Sequence, residues 1–340
     1  MISIMDDDIE YQRLNCALGC VIGAFIGDAL GSALEFQTCV TQNMLISALL
    51  MDGGIFGNGP GQVTDDSELA MCILTALSET APKFNPDLIG KYYKDWIISK
   101  PFDIGRTTAL ALRPLMNVTD NFWSCASESA RIHNKDSQSN GSFMRSSPLA
   151  VFCRKLTFAE LKEVVIDDVC MTHSNKIVQD TECLYIRFIS YLIQNPKDKD
   201  NAIIDLFNCL NEVDNENTRK WIQDAFSSQP MNTNDQMGWV KIAFDYAFKQ
   251  IRKHEINFTQ AISEILSLGG DTDTNAAIVG AMIGAYVGYD NLNDDWKKKV
   301  EGFDSMSMRG IQREGEFLNQ TLVKKKVQNI FANSPDYLIR

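Results

Sequence analysis

Two apolar stretches with regularly spaced glycines decide the fold of this chain: GCVIGAFIGDALGSALEF at residues 19–36 and GGDTDTNAAIVGAMIGAYVG at residues 269–288. Residues four apart in a helix lie on the same face, so each stretch predicts a helix with one face of very small side chains. The small residues are Gly19, Gly23, Gly27 and Gly31 in the first stretch, and Ala276, Gly280, Gly284 and Gly288 in the second. Because a glycine inside a helix costs about 1 kcal/mol relative to alanine, we expect these faces to allow very close approach of another backbone. The pattern makes both helices central and assigns them no ligand.

Helical spacing of apolar residues dominates the rest of the chain, and the strict alternation of strands is nearly absent. The predicted helices are residues 11–36, 64–80, 87–99, 107–116, 122–132, 158–171, 176–194, 201–210, 217–226, 238–253, 258–268, 274–289 and 324–331. Thr64 is expected to cap the second of them. No shift in composition divides the chain. The sequence therefore predicts an all-α fold in a single domain of residues 1–340.

Composition and charge exclude several classes of function. The chain has 340 residues, 44 acidic against 32 basic side chains, and a net charge of −12. This balance argues against a protein that grips nucleic acid or an anionic membrane through a broad basic surface. The N-terminal MISIMDDDIE lacks the positive segment of an export signal. Nine cysteines occur singly, without a C-x-x-C pair, and only three histidines are present, so we expect reduced thiols, no zinc site and a cytoplasmic location. A monomer is one possibility, because the sequence does not determine the oligomeric state.

Two helix starts about 200 residues apart carry the same unusual chemistry. Residues 61–68 read GQVTDDSE and residues 269–275 read GGDTDTN, so each has glycine followed by carboxylates mixed with threonine. Either acid alone is explained by helix capping and by the positive end of the helix dipole. Adjacent carboxylates, however, repel unless a cation lies between them. Oxygen ligands select hard ions such as Mg²⁺ or Mn²⁺. Spacing alone leaves capping and a two-metal site as open alternatives.

A set of motifs, in this order along the chain, resembles the ADP-ribosylglycohydrolase family, which includes the dinitrogenase-reductase-activating glycohydrolase and the ADP-ribosylarginine and ADP-ribosylserine hydrolases. The motifs are GCVIGAFIGDALGSALEF, GPGQVTDDSELAM, PFDIGRTT, NGSFMRSSPLAV, MTHSN and GGDTDTNAAIVGAMIGAYVG. The resemblance runs from about residue 12 to about residue 290. It implies an all-α orthogonal helical bundle with a central two-metal site, holding two Mg²⁺ or Mn²⁺ ions, at helix N-termini. Residues 291–340, including KKKV and VKKKV, have no counterpart and are expected to form a solvated charged helical tail.

The resemblance also assigns residues of this chain to the site. The implied metal ligands are Thr64, Asp65, Asp66, Asp271, Asp273 and Thr274. The implied acid–base residues are Glu35 and Asp103, with Asp66 and Asp273 also catalytic. The implied substrate-binding residues are Asn140, Gly141 and Ser142 around the diphosphate, and Phe143 and His173 at the adenosine end. Arg145 has two open roles, a phosphate contact or a salt bridge, and His173 could equally be a buried structural residue.

The function implied is metal-dependent removal of ADP-ribose from modified protein side chains, with ADP-ribose as product. The DIG segment at residues 103–105 favours an arginine linkage. The alternatives are a serine linkage, a non-catalytic relative that binds ADP-ribose or serves a structural role, and a metal hydrolase for another phosphorylated nucleoside. Because the ligand is a dianion and the protein is acidic, the sequence predicts that ligand binding depends on bound metal.

Overall fold

The computed structural model describes residues 2–227 and 233–340, which are mainly helical. The α-helices are α1 (Ile2–Gly31), α2 (Gln42–Leu49), α3 (Asp65–Thr80), α4 (Pro86–Ile98), α5 (Arg106–Leu112), α6 (Phe122–His133), α7 (Ser147–Phe152), α8 (Phe158–Val169), α9 (Lys176–Gln194), α10 (Lys199–Leu210), α11 (Glu216–Ala225), α12 (Val240–Ile251), α13 (Phe258–Leu266), α14 (Thr272–Val287), α15 (Asp294–Gly302) and α16 (Val323–Ala332). Within the described ranges, β-structure is limited to three isolated bridges. The all-α prediction is confirmed.

The two glycine-striped helices, α1 and α14, pack against each other through those stripes. A Cβ atom added to Gly19, Gly23 or Gly27 would lie 2.3, 2.5 or 2.1 Å from a backbone oxygen of α14. The helices run antiparallel, because Gly19 meets Gly284 whereas Gly27 meets Ala276. The predicted close approach is confirmed. It also brings the end of α1 against the start of α14.

The helix boundaries follow the predicted ones with a few instructive exceptions. Helix α9 has the predicted bounds, but α1 ends at Gly31 rather than at Phe36. Turns occupy residues 32–36, and Phe36 takes a left-handed backbone conformation with φ 63°. Helices α2, α7 and α15, of six to nine residues each, are absent from the prediction.

The apolar character of α1 is explained by its central position. Residues 7–31 are long and apolar enough to cross a membrane by length and composition, yet 89% of the most apolar window is buried inside the protein. Helices α14, α9, α7 and α3 surround it. Its side chains join a hydrophobic cluster that extends from Cys16 to Phe331.

The segment after residue 290 packs into the body of the protein, so the prediction of a merely solvated charged tail is wrong. Arg313 forms a buried ion pair with Glu68 of α3, with 2.7 Å between Nε and Oε1. Lys326 of α16 donates a 2.8 Å hydrogen bond to the Thr75 hydroxyl. The apolar residues of α16, Val323, Val327, Ile330 and Phe331, are buried. These apolar residues have ordinary helical spacing, but the adjacent lysines led to the prediction of a fully solvated helix.

Candidate active site

The start of α3 is held by a carboxylate from another helix, Asp28 of α1. Asp28 accepts hydrogen bonds from the Thr64 backbone N–H at 3.0 Å, the Thr64 hydroxyl at 2.9 Å and the Ser67 N–H at 3.1 Å. Thr64 occupies the predicted N-cap position, but its hydroxyl donates to Asp28 and makes no cap bond. Asp65 and Asp66 are the first two residues of α3; Asp65 lines the cavity described below, whereas Asp66 is buried next to it and is not among the lining residues.

The start of α14 is joined to the turn after α1 by a short antiparallel bridge. The Phe36 N–H donates to the Gly270 carbonyl at 2.8 Å, and the Gly270 N–H donates to the Gln37 carbonyl at 2.7 Å. Gly269 and Gly270 have φ of 72° and 82°, a conformation that glycine adopts without strain. The bridge carries Glu35 to α14, where one carboxylate oxygen each of Glu35, Asp271 and Asp273 lies within 4.8 Å of the others.

Asp66 connects the two helix starts. Its Oδ2 atom accepts hydrogen bonds of 3.3 Å from both the Thr64 hydroxyl and the Thr274 hydroxyl. Its Oδ1 atom, like Oε2 of Glu35, is buried and has no hydrogen-bond partner within the described residues. Burying a carboxylate oxygen without a partner is unfavourable for the free energy of folding. These two atoms are therefore candidates for binding a ligand.

The carboxylates face a cavity of about 430 Å³. Residues from both helix starts, from the 103–108 segment and from the 139–144 loop line it: Glu35, Phe36, Asp65, Asp103, Ile104, Gly105, Arg106, Thr107, Thr108, Ser139, Asn140, Gly141, Met144, Gly238, Asp271, Asp273 and Thr274. Asp65 accepts a 3.3 Å hydrogen bond from the Gly105 N–H, which connects the 103–108 segment to α3. The segments predicted to form the site thus meet at one cavity.

Burial and mutual repulsion shift the carboxylate pKa values upward. Burial, together with the charges of Asp103 and Asp271, raises the pKa of Glu35 to about 8. Burial and the charge of Asp271 raise the pKa of Asp103 to about 6. Burial followed by neighbouring carboxylates raises the pKa values of Asp66 and Asp273 well above the ordinary range. Such a cluster is stabilised either by protons or by a cation.

The donor chemistry fits a hard divalent cation. The clustered side chains offer carboxylate and hydroxyl oxygens, and the Glu35, Asp271 and Asp273 group contains no sulfur or imidazole donor. Oxygen-only donors suit Mg²⁺ and Mn²⁺ better than zinc. The unpaired oxygens of Asp66 and Glu35 provide binding capacity that the protein itself does not use.

The loop of residues 139–145 contributes some of its predicted residues to the cavity. Asn140 and Gly141 line it, and Asn140 Nδ2 donates to Asp271 Oδ2 at 2.8 Å. Ser142 has a fully buried side chain. The expected place of Phe143 is wrong, because its ring lies in the core, 5.2 Å from the Tyr185 ring between centroids. A 3-10 turn at Phe143–Arg145 directs that ring inward.

His173 supports this loop from behind. It is fully buried, and its Nε2 and Nδ1 atoms lie 2.7 Å from the Ser139 hydroxyl and 2.8 Å from the Thr172 hydroxyl. Burial lowers the pKa of His173 to about 3, so the ring is neutral. The geometry favours the structural alternative for His173, with Ser139 as the residue that reaches the cavity.

The structure decides between the two roles left open for Arg145. Its guanidinium is buried and pairs with Asp168 at 3.0 Å, so it is a salt-bridge residue. Arg106 is the one basic residue among the described residues that line the cavity. It is exposed to solvent.

Sequence reasoning missed Asp28, Ser139, Arg106 and Phe36. A signal existed for Asp28, since an acid inside a long apolar helix must have partners. Arg106 also had one, as the single basic residue within the PFDIGRTT motif. Ser139 and Phe36 had none, because their positions depend on contacts with His173 and Gly270 that lie far away in the sequence.

Comparison with known proteins gives a consistent result. The model of the ADP-ribosylglycohydrolase family matches residues 9–327, so the expected end of the resemblance near residue 290 is wrong. The protein L543 of Acanthamoeba polyphaga mimivirus, named as an ADP-ribosyl glycohydrolase, is 29% identical over 321 residues, covering 87% of this chain and 92% of that protein. The ADP-ribosyl-dinitrogen reductase glycohydrolase of Rhodospirillum rubrum is 24% identical, covering 89% and 95%.

Two further matches concern linkage and fold. The ADP-ribosylarginine hydrolase Tri1 of Serratia proteamaculans is 26% identical over 268 residues, covering 74% of this chain and 66% of Tri1. A solved structure described as an ADP-ribosylglycohydrolase-related protein complex superposes with a TM-score of 0.73 at 20% identity, covering 96% of this chain and all of that one. The second match establishes similarity of fold.

Proposed function

The chain belongs to the ADP-ribosylglycohydrolase family, and on that premise we propose that it is a divalent-cation-dependent hydrolase that removes ADP-ribose from arginine side chains of modified proteins. The observation that carries the proposal is the convergence of the α3 and α14 starts on one acidic cavity, with unpaired buried oxygens on Asp66 and Glu35. The substrate is an ADP-ribosylated protein and the product is free ADP-ribose.

The cations would be held by the oxygens of the two helix starts. These are the side chains of Thr64, Asp65, Asp66, Asp271, Asp273 and Thr274, and we propose two Mg²⁺ or Mn²⁺ ions. Bound cations would supply positive charge that fixes ribose hydroxyls and a water molecule. The protein gives this pocket little positive charge of its own, so ligand binding is expected to require the cations.

Glu35 and Asp103 are the proposed acid–base residues, because both carboxyl groups line the cavity near the clustered acids. Hydrolysis breaks the bond between C1″ of the ribose and the protein side chain. A carboxylate accepts a proton from the attacking water, and the departing side chain gains a proton. The backbone N–H of Gly141 would contact the diphosphate. That of Asn140 donates to the Gly238 carbonyl at 3.0 Å, so Asn140 would hold the loop in place instead.

The arginine linkage rests on two observations. Asp103 of the PFDIGRTT segment lines the cavity. Its carboxylate could pair with the guanidinium of a substrate arginine. The name of Tri1 assigns arginine-linked hydrolysis to a relative that matches 74% of this chain. A serine linkage remains an alternative that assay must separate.

The test is release of free ADP-ribose from arginine-linked and serine-linked substrate proteins in the presence of Mn²⁺. We expect turnover on the arginine linkage and its loss, by at least about a hundredfold, in Asp66→Asn and Asp273→Asn. The matched control is Asp295→Asn. Asp294 and Asp295 begin α15 as an acidic pair, but they are exposed to solvent.

Other results would contradict the proposal in distinguishable ways. Turnover restricted to the serine linkage would contradict the arginine assignment alone. Heat of ADP-ribose binding without product from either substrate would identify a non-catalytic binder. Equal loss of activity in Asp295→Asn would show that the acidic cavity has no special role.

A further inference from the structure

Phe36 combines two features that stability does not explain. Its backbone has φ 63°, a left-handed conformation that is rare for a bulky residue. Its side chain is 58% exposed although it is aromatic. Phe36 lines the acidic cavity, directly after Glu35 in the sequence. An unfavourable backbone conformation and an exposed aromatic residue therefore coincide at the site.

The local fold requires the backbone conformation but not the ring. The Phe36 N–H bonds the Gly270 carbonyl, and the chain must reverse there after α1. Glycine would adopt this conformation without strain, and asparagine would adopt it at low cost. Since the ring is mostly exposed, it adds little to the core. A residue that is unfavourable for the folded chain alone is explained if its ring contacts a ligand.

We propose that the Phe36 ring determines specificity by packing against the arginine side chain from which ADP-ribose is removed; this inference rests on the proposed function. Glu35, the neighbouring residue, clusters with Asp271 and Asp273, and both Glu35 and Phe36 line the cavity. Arg106 and Asn140 line the same cavity, and Asn140 Nδ2 donates to Asp271 of that cluster. An exposed ring beside the acids is positioned to meet a side chain that enters the cavity from solvent.

The side chains of Phe36, Glu35 and Asp103 are of the types that bind a guanidinium. A flat aromatic face attracts a delocalised cation, and the carboxyl groups of Glu35 and Asp103 line the same cavity as Phe36. Guanidinium groups stack on aromatic rings and pair with carboxylates more readily than other side chains do. A serine-linked substrate offers neither a planar cation nor the same reach.

The experiment compares Phe36→Gly, Phe36→Asn and Phe36→Trp with the wild-type protein in Mn²⁺. For the arginine-linked substrate, we expect KM to rise about tenfold in the glycine and asparagine variants and to stay within about twofold in the tryptophan variant. Affinity for free ADP-ribose, measured by calorimetry, is expected to stay within about twofold in all three. The melting temperature of the glycine variant should equal or exceed that of the wild type. The control is Tyr337→Ala, which removes a ring that is 64% exposed and does not line the cavity.

Each departure from this pattern has a defined meaning. An active wild type with an unchanged KM in the glycine and asparagine variants overturns the inference and leaves the proposed function intact. An equal loss of ADP-ribose affinity also overturns it, because the ring would then contact the ribose of the product. A fall in melting temperature that parallels the loss of activity would show a structural role instead. A wild type that releases no ADP-ribose contradicts the proposed function, and this inference with it.

Discussion

At the scale of single residues, Asp28 stabilises the start of α3, which contributes Asp65 to the cavity. Its buried carboxylate accepts three hydrogen bonds from the start of α3, so it fixes the direction of Asp65 and Asp66. Asp28→Ala is expected to lower the free energy of unfolding by about 2–4 kcal/mol, because buried donors lose their acceptor. Urea unfolding measures this change. The control is Asp87→Ala, which removes a partly buried acceptor of one N–H, that of Trp123, and should cost about 1 kcal/mol. Equal effects of the two substitutions would contradict the assigned role of Asp28.

Arg106 is the residue from which we expect an electrostatic contribution to ligand binding. Arg106 is exposed and lines the cavity, whereas Arg145 is paired with Asp168 in the core. Arg106→Gln is expected to weaken ADP-ribose binding about three- to tenfold, with a smaller loss at high salt because exposed charges are screened. Calorimetry at two salt concentrations measures both effects. Arg113→Gln is the matched control, since Arg113 is exposed in the next turn of chain but does not line the cavity. Unchanged affinity in Arg106→Gln would contradict the expectation.

At the scale of elements, the contact between α1 and α14 aligns the two halves of the site. A Cβ atom on Gly27 would lie 2.1 Å from the Ala276 oxygen, so Gly27→Ala must separate the helices. We expect a loss of at least about 3 kcal/mol of unfolding free energy, or failure to fold. Thermal unfolding measures it. Gly302→Ala in α15 is the control, because a Cβ there meets no atom within 4 Å; it should be neutral or slightly stabilising. A stable Gly27→Ala protein would show that the close approach is dispensable.

The elements also show what the sequence can and cannot predict. The glycine stripes predicted the central pair because a period of four is a local property that a helix translates directly into a face. Thr64 was correctly placed at the N-cap of α3, but the carboxylate that accepts the hydrogen bonds of this helix start, Asp28, lies 36 residues away and was not predicted. The place of Phe143 was wrong for a similar reason: a single 3-10 turn decides whether its ring faces the cavity or the core. The spacing of residues predicts which face of a helix is packed, whereas the positions of the site residues depend on contacts between distant parts of the chain.

At the scale of the whole molecule, the net charge is −12, and several of the acidic residues that contribute to it line the one cavity described above. In the cation-free protein, burial raises the pKa of Glu35 to about 8 and those of Asp28 and Asp103 to about 6. Ordinary carboxyl pKa values are about 4. The folded protein therefore binds more protons than the unfolded chain between about pH 4 and pH 8, and its stability falls as pH rises through that range.

Cations should change this pH dependence. A bound divalent ion replaces the protons that the cluster otherwise retains, so the decline in stability toward pH 8 is expected to be smaller in Mn²⁺ than in chelator. Urea unfolding at several pH values between 5 and 8, with and without Mn²⁺, measures the difference. The same decline under both conditions would indicate that the acidic cavity does not bind the ion.

The central claim, that the two helix starts form a cation-dependent hydrolytic site, is tested most directly by turnover as a function of free Mn²⁺. The protein is first stripped with a chelator, and release of ADP-ribose from an arginine-linked substrate is then followed as Mn²⁺ is restored. We predict no detectable release in chelator, saturable recovery with added Mn²⁺ in the wild type, and no recovery in Asp273→Asn. Full activity of the stripped protein would contradict the claim.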